Sequence, residues 1–377
     1  MSRPFVPGLQ RALERNIPLG QKLHLIHEAI GVHSVLIHRI AVALYDPATD
    51  MLSTFLHSSG EDNPLSNYSV KLSEVRSLKE IADTGLPRIL NDLTVLAGEC
   101  GWHTRKVLEQ GYKSSLSYPL YHDGRLLGFL FLNSYRSNVF TDDLLHRLNL
   151  FSQIIASLII KETVRVHTLA AAIRTVRSIT RHMDEETSSH LDRMSHYSQL
   201  IAARLATSHK LNDEFIEYML LFSPMHDIGK VTIPDAVLLK PDRLTPEEFE
   251  IVKKHPGVGA DIIDNMAKEF SFDGFPHLQM LRNIVGMHHE FMDGSGYPNG
   301  LNGGQIPIEA RICTVADIFD ALTSPRCYKP AWDNDRAFSA LREMAGRQLD
   351  QACVDALVGH AEKVTEIQAI FADEIDD

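Results

Sequence analysis

The sequence predicts a two-domain protein: an N-terminal α+β domain, a long connecting helix and a C-terminal all-α domain. Three observations predict this architecture. Strand-like runs and turn signals fill the first 140 residues. Residues 141 to 223 contain neither glycine nor proline. After residue 180, histidines and carboxylates recur at helical spacing. The length of 377 residues is sufficient for two hydrophobic cores.

Composition narrows the class of function. Charged residues make up 23% of the chain and the net charge is -12, which excludes a binder of nucleic acid polymers. The four cysteines form no Cys-x-x-Cys pair, as expected in a reducing compartment. The longest apolar stretch, residues 154 to 160, is too short to cross a bilayer. We therefore expect a cytoplasmic protein without a membrane span or signal peptide.

The first domain, residues 1 to 140, is predicted to combine helices with an antiparallel sheet. Alternating apolar runs on either side of the Asp123-Gly124 turn predict a β-hairpin. The predicted elements are a helix over residues 19 to 33, strands over 39 to 45 and 52 to 57, a helix over 77 to 83, and hairpin strands over 115 to 121 and 126 to 133.

Four motifs characterise the second half of this domain: Ser117-Tyr118-Pro119-Leu120, Asp123-Gly124, Leu127-Gly128-Phe129-Leu130 and Asn138-Val139-Phe140-Thr141. With these motifs, residues 19 to about 160 resemble a GAF domain. The resemblance implies a small-molecule sensor and no particular ligand, because GAF domains bind varied molecules or none. Two roles stay open for four further residues, lining a ligand pocket or being ordinary surface or packing residues: His57, Cys100, His103 and His122.

Residues 141 to 182 are predicted to form a connecting helix whose first part completes the GAF-like domain. Thr141 followed by two aspartates is typical of a helix start. Two apolar blocks have coiled-coil spacing, with a shift of register between them. We expect a parallel homodimer through this helix, and the alternative is a single helix packed on its own domains. The apolar positions are Leu148, Phe151, Ile155, Leu158, Val166, Leu169, Ile173 and Val176.

Metal-binding chemistry is concentrated in residues 226 to 230. Asp227 can bridge two cations through its two oxygens, and His226 adds a nitrogen ligand. In a helix, Lys230 would lie one turn beyond both and reach the same side. The alternative for this pair alone is a His-Asp hydrogen bond in a core.

Further candidate ligand residues lie at the ends of predicted helices or within them. Thr245 to Glu248 form a capping box, so a helix is expected from there to near His255-Pro256. Two more helices are expected, from about Leu278 to the His288-His289-Glu290 segment and after Pro307. Nitrogen and oxygen ligands without cysteine favour iron, manganese or a two-metal hydrolase over tetrahedral zinc.

Several ordered motifs lie between residue 183 and about residue 360: His226-Asp227-Ile228-Gly229-Lys230, Lys254-His255-Pro256-Gly257, His288-His289-Glu290, Asp293-Gly294-Ser295-Gly296-Tyr297-Pro298 and Val315-Ala316-Asp317-Ile318-Phe319-Asp320. With these motifs the segment resembles an HD-GYP phosphodiesterase domain, which we expect to occupy residues 183 to 377. The resemblance implies an all-α domain that hydrolyses cyclic di-GMP at a centre of two or three divalent metal ions, often iron, with manganese as the alternative.

The resemblance also implies roles for individual residues. It assigns the first metal to His190, His226, Asp227 and Asp317, and the second to Asp227, His255, His288 and His289. Glu186 is the candidate ligand of a third metal. Tyr297, in the glycine-rich Gly-Tyr-Pro loop, is the candidate for contacting guanine or phosphate, and Arg326 and Lys329 for binding substrate phosphates.

The predicted reaction is hydrolysis of cyclic di-GMP to pGpG, with GMP as the product of a second cut. Lys230 is expected to neutralise charge on the departing oxygen or to protonate it. Three alternatives stay open: hydrolysis of cyclic GMP-AMP, a binding module without turnover that recruits protein partners through the Gly-Tyr-Pro loop, and an oxygen or redox sensor that uses an iron cluster.

Overall fold

The structure is a computed structural model that describes residues 8–33, 36–59, 68–96, 102–179, 188–269, 275, 277–325 and 330–372. The chain divides into two compact units. The first unit comprises Met1–Arg165 with Asn212–Glu214, and the second comprises Val166–Leu211 with Phe215–Asp377.

In the described part of the first unit, six antiparallel strands form one sheet with the order β3-β2-β1-β6-β5-β4. Its strands are β1 (Arg39–Asp46), β2 (Met51–Ser59), β3 (Ser69–Lys71), β4 (Arg88–Leu90), β5 (Ser114–His122) and β6 (Arg125–Ser134). Its first four helices are α1 (Leu9–Leu13), α2 (Leu19–His33), α3 (Arg76–Thr84) and α4 (Trp102–Glu109). The predicted α+β class and each predicted element of this domain are confirmed.

The hairpin of β5 and β6 forms where the sequence predicts it. Asp123 and Gly124 have positive φ values of 48° and 76°, the backbone that a two-residue hairpin turn needs. Further along β6, Gly128 has a φ of 151° and lies against β1. A Cβ at Gly128 would lie 1.9 Å from the carbonyl oxygen of Ala43, so only glycine permits this approach.

Helix α5 (Asp142–Ile179) corresponds to the predicted connecting helix. The aspartates in its first turn suit the positive end of the helix dipole. Most of the proposed seam is already buried within one chain, as the alternative of a helix packed on its own domains requires. Leu148, Ile155, Val166, Leu169 and Ile173 are 1–3% exposed. The coiled-coil dimer stays a prediction, and the side chain of Val176 lies outside the described residues.

The described second unit is helical, as predicted. Helix α6 packs against α12 and α14 and lies at the centre of the bundle. The described α-helices that follow α5 are α6 (Ser188–His209), α7 (Asp213–Phe222), α8 (Asp235–Leu238), α9 (Pro246–Val252), α10 (His255–Glu269), α11 (Leu278–Met287), α12 (Ile308–Thr323), α13 (Asn334–Met344), α14 (Gln351–Val358) and α15 (Ala361–Ile370). No helix within the described ranges is both long and apolar enough to cross a bilayer.

Two local expectations for this unit are wrong. Residues 226 to 230 are not α-helical but lie between and within two 3-10 turns, Ser223–Met225 and Ile228–Thr232. A 3-10 turn still aligns residues three apart, so Lys230 reaches Asp227. The helix predicted to end near His255 ends at Val252, and α10 begins at His255. Pro256 explains the new start, because proline fits the first turn of a helix, where no N–H donor is needed.

Candidate metal centre

The second unit brings all seven described candidate ligands together, from four helices and one turn. The side chains form two groups, and within each group the ligand atoms lie within 4.8 Å of one another. The first group is His190 of α6, His226 of the turn after α7 and Asp317 of α12. The second group is Asp227, His255 at the start of α10, and His288 and His289 just after α11.

Asp227 lies between the two groups. Its Oδ2 atom is 3.0 Å from Nε2 of His226 in the first group. Its Oδ1 atom is 3.0 Å from Nε2 of His255 and 3.5 Å from Nε2 of His288 in the second. The carboxylate is 4% exposed, so water does not compete freely for it. This is the position that a bridging ligand requires.

Backbone carbonyls orient three of the histidines. Nδ1–H of His226 donates to the carbonyl of Ser223 (2.9 Å), and that of His255 donates to the carbonyl of Val252 (2.8 Å). Nδ1–H of His288 donates to carbonyls of the last turn of α11 at 3.1 Å. Because a carbonyl only accepts, each Nδ1 carries the proton and each Nε2 turns its lone pair to the centre.

Asp320 orients the fourth histidine, His190, a role that the sequence analysis missed. Its fully buried carboxylate accepts from Nδ1–H of His190 (2.7 Å), from two nitrogens of Arg193 (2.7 and 3.2 Å) and from Ser324 (2.8 Å). Burial opposes ionisation, but the hydrogen bonds from His190 and Arg193 outweigh it and lower the pKa of Asp320. The sequence did carry a signal for this role, because Asp320 lies three residues after Asp317 on one predicted helix and therefore on the same side of it.

The donor atoms fit divalent cations. Nε2 lone pairs that face a carboxylate oxygen at 3.0–3.5 Å repel it unless a proton or a cation lies among them. Burial lowers the pKa of both His288 and His289, which favours the neutral ligand form. Burial raises the pKa of Asp227, but the opposing effects, led by the positive charge of Lys230, outweigh it, lower the pKa and keep the carboxylate ionised. Imidazole nitrogens with carboxylates suit iron or manganese.

Lys230 and Gly229 complete the turn that carries Asp227. Nζ of Lys230 is 2.7 Å from Oδ2 of Asp227 and part of the side chain is exposed. Gly229 packs on the first turn of α10, where an added Cβ would lie 1.9 Å from the carbonyl oxygen of His255. The glycine therefore permits the close approach that brings Asp227 to His255.

The Gly-Tyr-Pro loop, residues 293 to 304, is fixed next to the second ligand group. The buried carboxylate of Glu290 accepts from the backbone N–H groups of Asn299 (2.7 Å) and Leu301 (2.9 Å). Tyr297 donates its backbone N–H to the carbonyl of His289, and their ring centroids are 4.7 Å apart. Burial raises the pKa of Tyr297, so its hydroxyl stays a donor.

Some predicted site residues are not among those that the structure describes. Glu186, Arg326 and Lys329 lie outside the described ranges, and their roles stay predictions. In the first unit, Cys100 and the side chain of His103 also lie outside them. His57 is described, and burial lowers its pKa to about 4. His122 lies at the hairpin, with a side chain 40% exposed.

Comparison with known proteins gives a family for each unit. Residues 180–353 match the family model of the HD domain, and residues 26–159 match that of the GAF domain. Three similar proteins are the cyclic di-GMP phosphodiesterase response regulator RpfG of Xanthomonas campestris (39% identity; 60% of this chain and 56% of that protein covered), a cyclic di-GMP phosphodiesterase of Vibrio cholerae (39%; 54% and 42%) and the 3'3'-cGAMP-specific phosphodiesterase 2 of Vibrio cholerae (36%; 50% and 34%).

The similarity to these relatives is partial in length. The chain spans 56%, 42% and 34% of them, so each relative contains substantial sequence outside the match. The two family models occupy different parts of this chain and follow one another without overlap. The chain therefore contains a GAF domain followed by an HD domain.

Proposed function

We propose that this protein is a metal-dependent phosphodiesterase that hydrolyses cyclic di-GMP to pGpG, and to GMP after a second cut. The position of Asp227 carries the proposal, because each of its oxygens faces a separate group of ligand atoms. Cations held by these two ligand groups would suit displacement at phosphorus. The names of the relatives add the substrate class, since two of them are called cyclic di-GMP phosphodiesterases.

In this proposal the two ligand groups share Asp227. His190, His226 and Asp317 complete the first metal position, and His255, His288 and His289 complete the second. When bound, divalent cations lower the pKa of a water ligand and offset charge on phosphoryl oxygens. We propose iron, with manganese as the alternative. Glu186 would support a third ion.

Lys230 has a double role in this proposal. Its ammonium group holds Oδ2 of Asp227 at 2.7 Å, which fixes the bridging carboxylate. An ammonium has three N–H donors, so this contact is compatible with a second one to a substrate oxygen. At that oxygen Lys230 would neutralise the charge that develops as the ribose leaves, or supply the proton.

Substrate contacts are proposed on the side of the second ligand group. The Tyr297 ring lies 4.7 Å from His289 and 6.4 Å from His255 between centroids, so its hydroxyl is a candidate donor to guanine or phosphate. Arg326 and Lys329 are proposed to bind phosphates. Lysine and arginine attract phosphate most strongly at low salt, so their replacement should raise KM more there than at high salt.

A direct assay tests the reaction and the base preference together. Anaerobically purified, metal-analysed protein is given cyclic di-GMP or 3'3'-cyclic GMP-AMP, and kcat/KM is compared. Cyclic GMP-AMP is the second candidate because one relative is named for it. We expect hydrolysis of cyclic di-GMP and none with Asp227→Ala. Full metal occupancy without turnover of either substrate would refute the enzyme and favour a non-catalytic sensor or interaction module.

Regulation and assembly are part of the same proposal. We propose that the GAF domain controls hydrolysis, that the chain forms a homodimer through α5, and that the Gly-Tyr-Pro loop offers a surface to protein partners. Phe151 and Leu158 of the predicted seam are only partly buried within the single chain and would be covered in such a dimer. Light scattering of the parent and of Leu158→Glu measures this. A monomeric parent would refute the dimer and leave the hydrolysis proposal intact.

A further inference from the structure

The GAF domain contains a cavity of about 60 Å³ on one face of its sheet. Strands β1, β2, β4, β5 and β6 contribute to its floor, and residues of α3 and α4 cover it. Apolar groups form most of the lining, including Ala41, Leu78 and Phe131. Neither His57 nor His122 is among the described residues that line it.

A buried arginine lies at one side of this cavity. Arg39 of β1 lines the cavity and is 3% exposed. It pairs across the sheet with Ser59 and Asn133, so the three side chains share one face. Asn133 already accepts a hydrogen bond from Ser115 at 2.8 Å. Nε–H of Arg39 and the Ser59 hydroxyl are buried and find no hydrogen-bond partner among the described residues.

The lining carries positive charge. Arg39 and Arg88 both belong to it, and no aspartate or glutamate does among the described residues. The charge of Asp213, outside the lining, also acts on Arg39, but Nε–H of Arg39 stays without an acceptor among the described residues. A guanidinium keeps its charge in any protein environment, and burying one of its N–H groups without an acceptor is unfavourable. An anion in the cavity would supply that acceptor. The Nε edge of a guanidinium matches the two oxygens of a planar carboxylate.

The volume limits the size of the anion. At roughly 12 Å³ for each water-sized position, 60 Å³ accommodates about five non-hydrogen atoms. A nucleotide is far larger than that. The apolar lining beside Arg39 suits a short alkyl chain better than a second polar group.

We propose that this cavity binds a short-chain monocarboxylate of about two to four carbons, whose carboxylate accepts the Nε–H of Arg39. The alkyl part lies against Ala41 and Phe131. This site is separate from the metal centre, and the proposal does not rest on the hydrolysis of cyclic di-GMP.

Thermal unfolding of the full chain tests the proposal, with acetate, propionate, butyrate, nitrate and chloride compared as sodium salts at equal ionic strength. We expect a saturable rise in Tm with one or more carboxylates and none with chloride, because a ligand that binds only the folded state stabilises it. Arg39→Met should weaken the apparent affinity by about 10- to 100-fold. Arg125→Met, which removes an exposed arginine of the same domain, should leave it unchanged.

A second variant tests the same proposal even if Arg39→Met fails to fold. Ala41→Leu keeps Arg39 and fills part of the cavity, so it should also abolish the saturable response. A parent whose Tm responds alike to all the salts refutes the proposal, as does a response that Ala41→Leu retains in full. A saturable response to nitrate alone would show that the ligand is an inorganic oxyanion and overturn the carboxylate assignment.

Discussion

Replacing Asp320 with asparagine tests how the centre is held in place. The carboxylate accepts four hydrogen bonds, from His190, Arg193 (two) and Ser324. Asparagine keeps the shape but removes the charge, and its NH₂ group cannot accept. Breaking a buried ion pair costs about 3–5 kcal/mol. We expect the lower end, about 3 kcal/mol, because the amide oxygen still accepts and Arg193 keeps its bond to the Phe371 carbonyl (2.8 Å).

Two measurements separate the effects of this change. The loss of stability should lower the Tm of the HD domain by about 6–12 °C. Metal affinity should fall by about 10- to 100-fold at the position that includes His190, because this histidine loses its orienting partner. The other position should keep its metal, since none of the described hydrogen bonds joins its ligands to Asp320. Chelator competition with metal analysis measures both positions.

Asp264→Asn is the matched control. Asp264 also pairs with an arginine of the same domain, Arg282, at 3.1 Å, but the two side chains are 37% and 41% exposed. An exposed pair contributes about 0–1 kcal/mol, so this variant should keep its Tm nearly unchanged and bind both metals. Equal metal affinity in Asp320→Asn and the parent would refute the orienting role of Asp320.

Four further predictions concern the residues around Asp227. Asp227→Ala should lose metal from both positions, and metal content equal to the parent would exclude a bridge. Lys230→Met should keep the metals and lower kcat by about 10²–10⁴-fold, whereas Lys240→Met, which removes a lysine paired with Glu248, should not change kcat. Gly229→Ala should lower both Tm and metal content because its Cβ would meet the His255 carbonyl, while Gly257→Ala, with open space around it, should do neither. Finally, burial lowers the pKa of His288 and His289 below the usual 6.5, so protons should displace the metal only at a pH below that value. Metal content should therefore be equal at about pH 7.5 and about pH 6. A loss of metal between these two pH values would contradict the lowered pKa values.

Local signals predicted much of the fold. The Asp123-Gly124 turn fixes the hairpin because both residues adopt positive φ, a preference readable from two letters of sequence. The capping box at Thr245 and Glu248 is similarly local. The sequence did not predict that the residues around His226 form 3-10 turns and not an α-helix. Over five residues, the three-residue period of a 3-10 turn and the 3.6-residue period of an α-helix place the same side chains together.

The ligands were found from motifs, but their supports were not. Carbonyl groups that orient His226 and His255 belong to the backbone, so no side-chain pattern marks them. Arg39 shows the same limit in the GAF domain. Its place beside the cavity depends on the register of β1 with β2 and β6, and a strand sequence alone does not give that register. Burial of the proposed coiled-coil seam of α5 likewise depends on tertiary packing, which the sequence of one helix does not give.

Glu290 has a consequence for how the site meets its ligand. Its two carboxylate oxygens hold the Gly-Tyr-Pro loop at Asn299 and Leu301, and the same residue directly follows the ligands His288 and His289. One covalent segment therefore sets both the metal ligands and the position of Tyr297. The conformational entropy of the loop is lost when the domain folds and not when substrate arrives, so binding at this loop is preorganised.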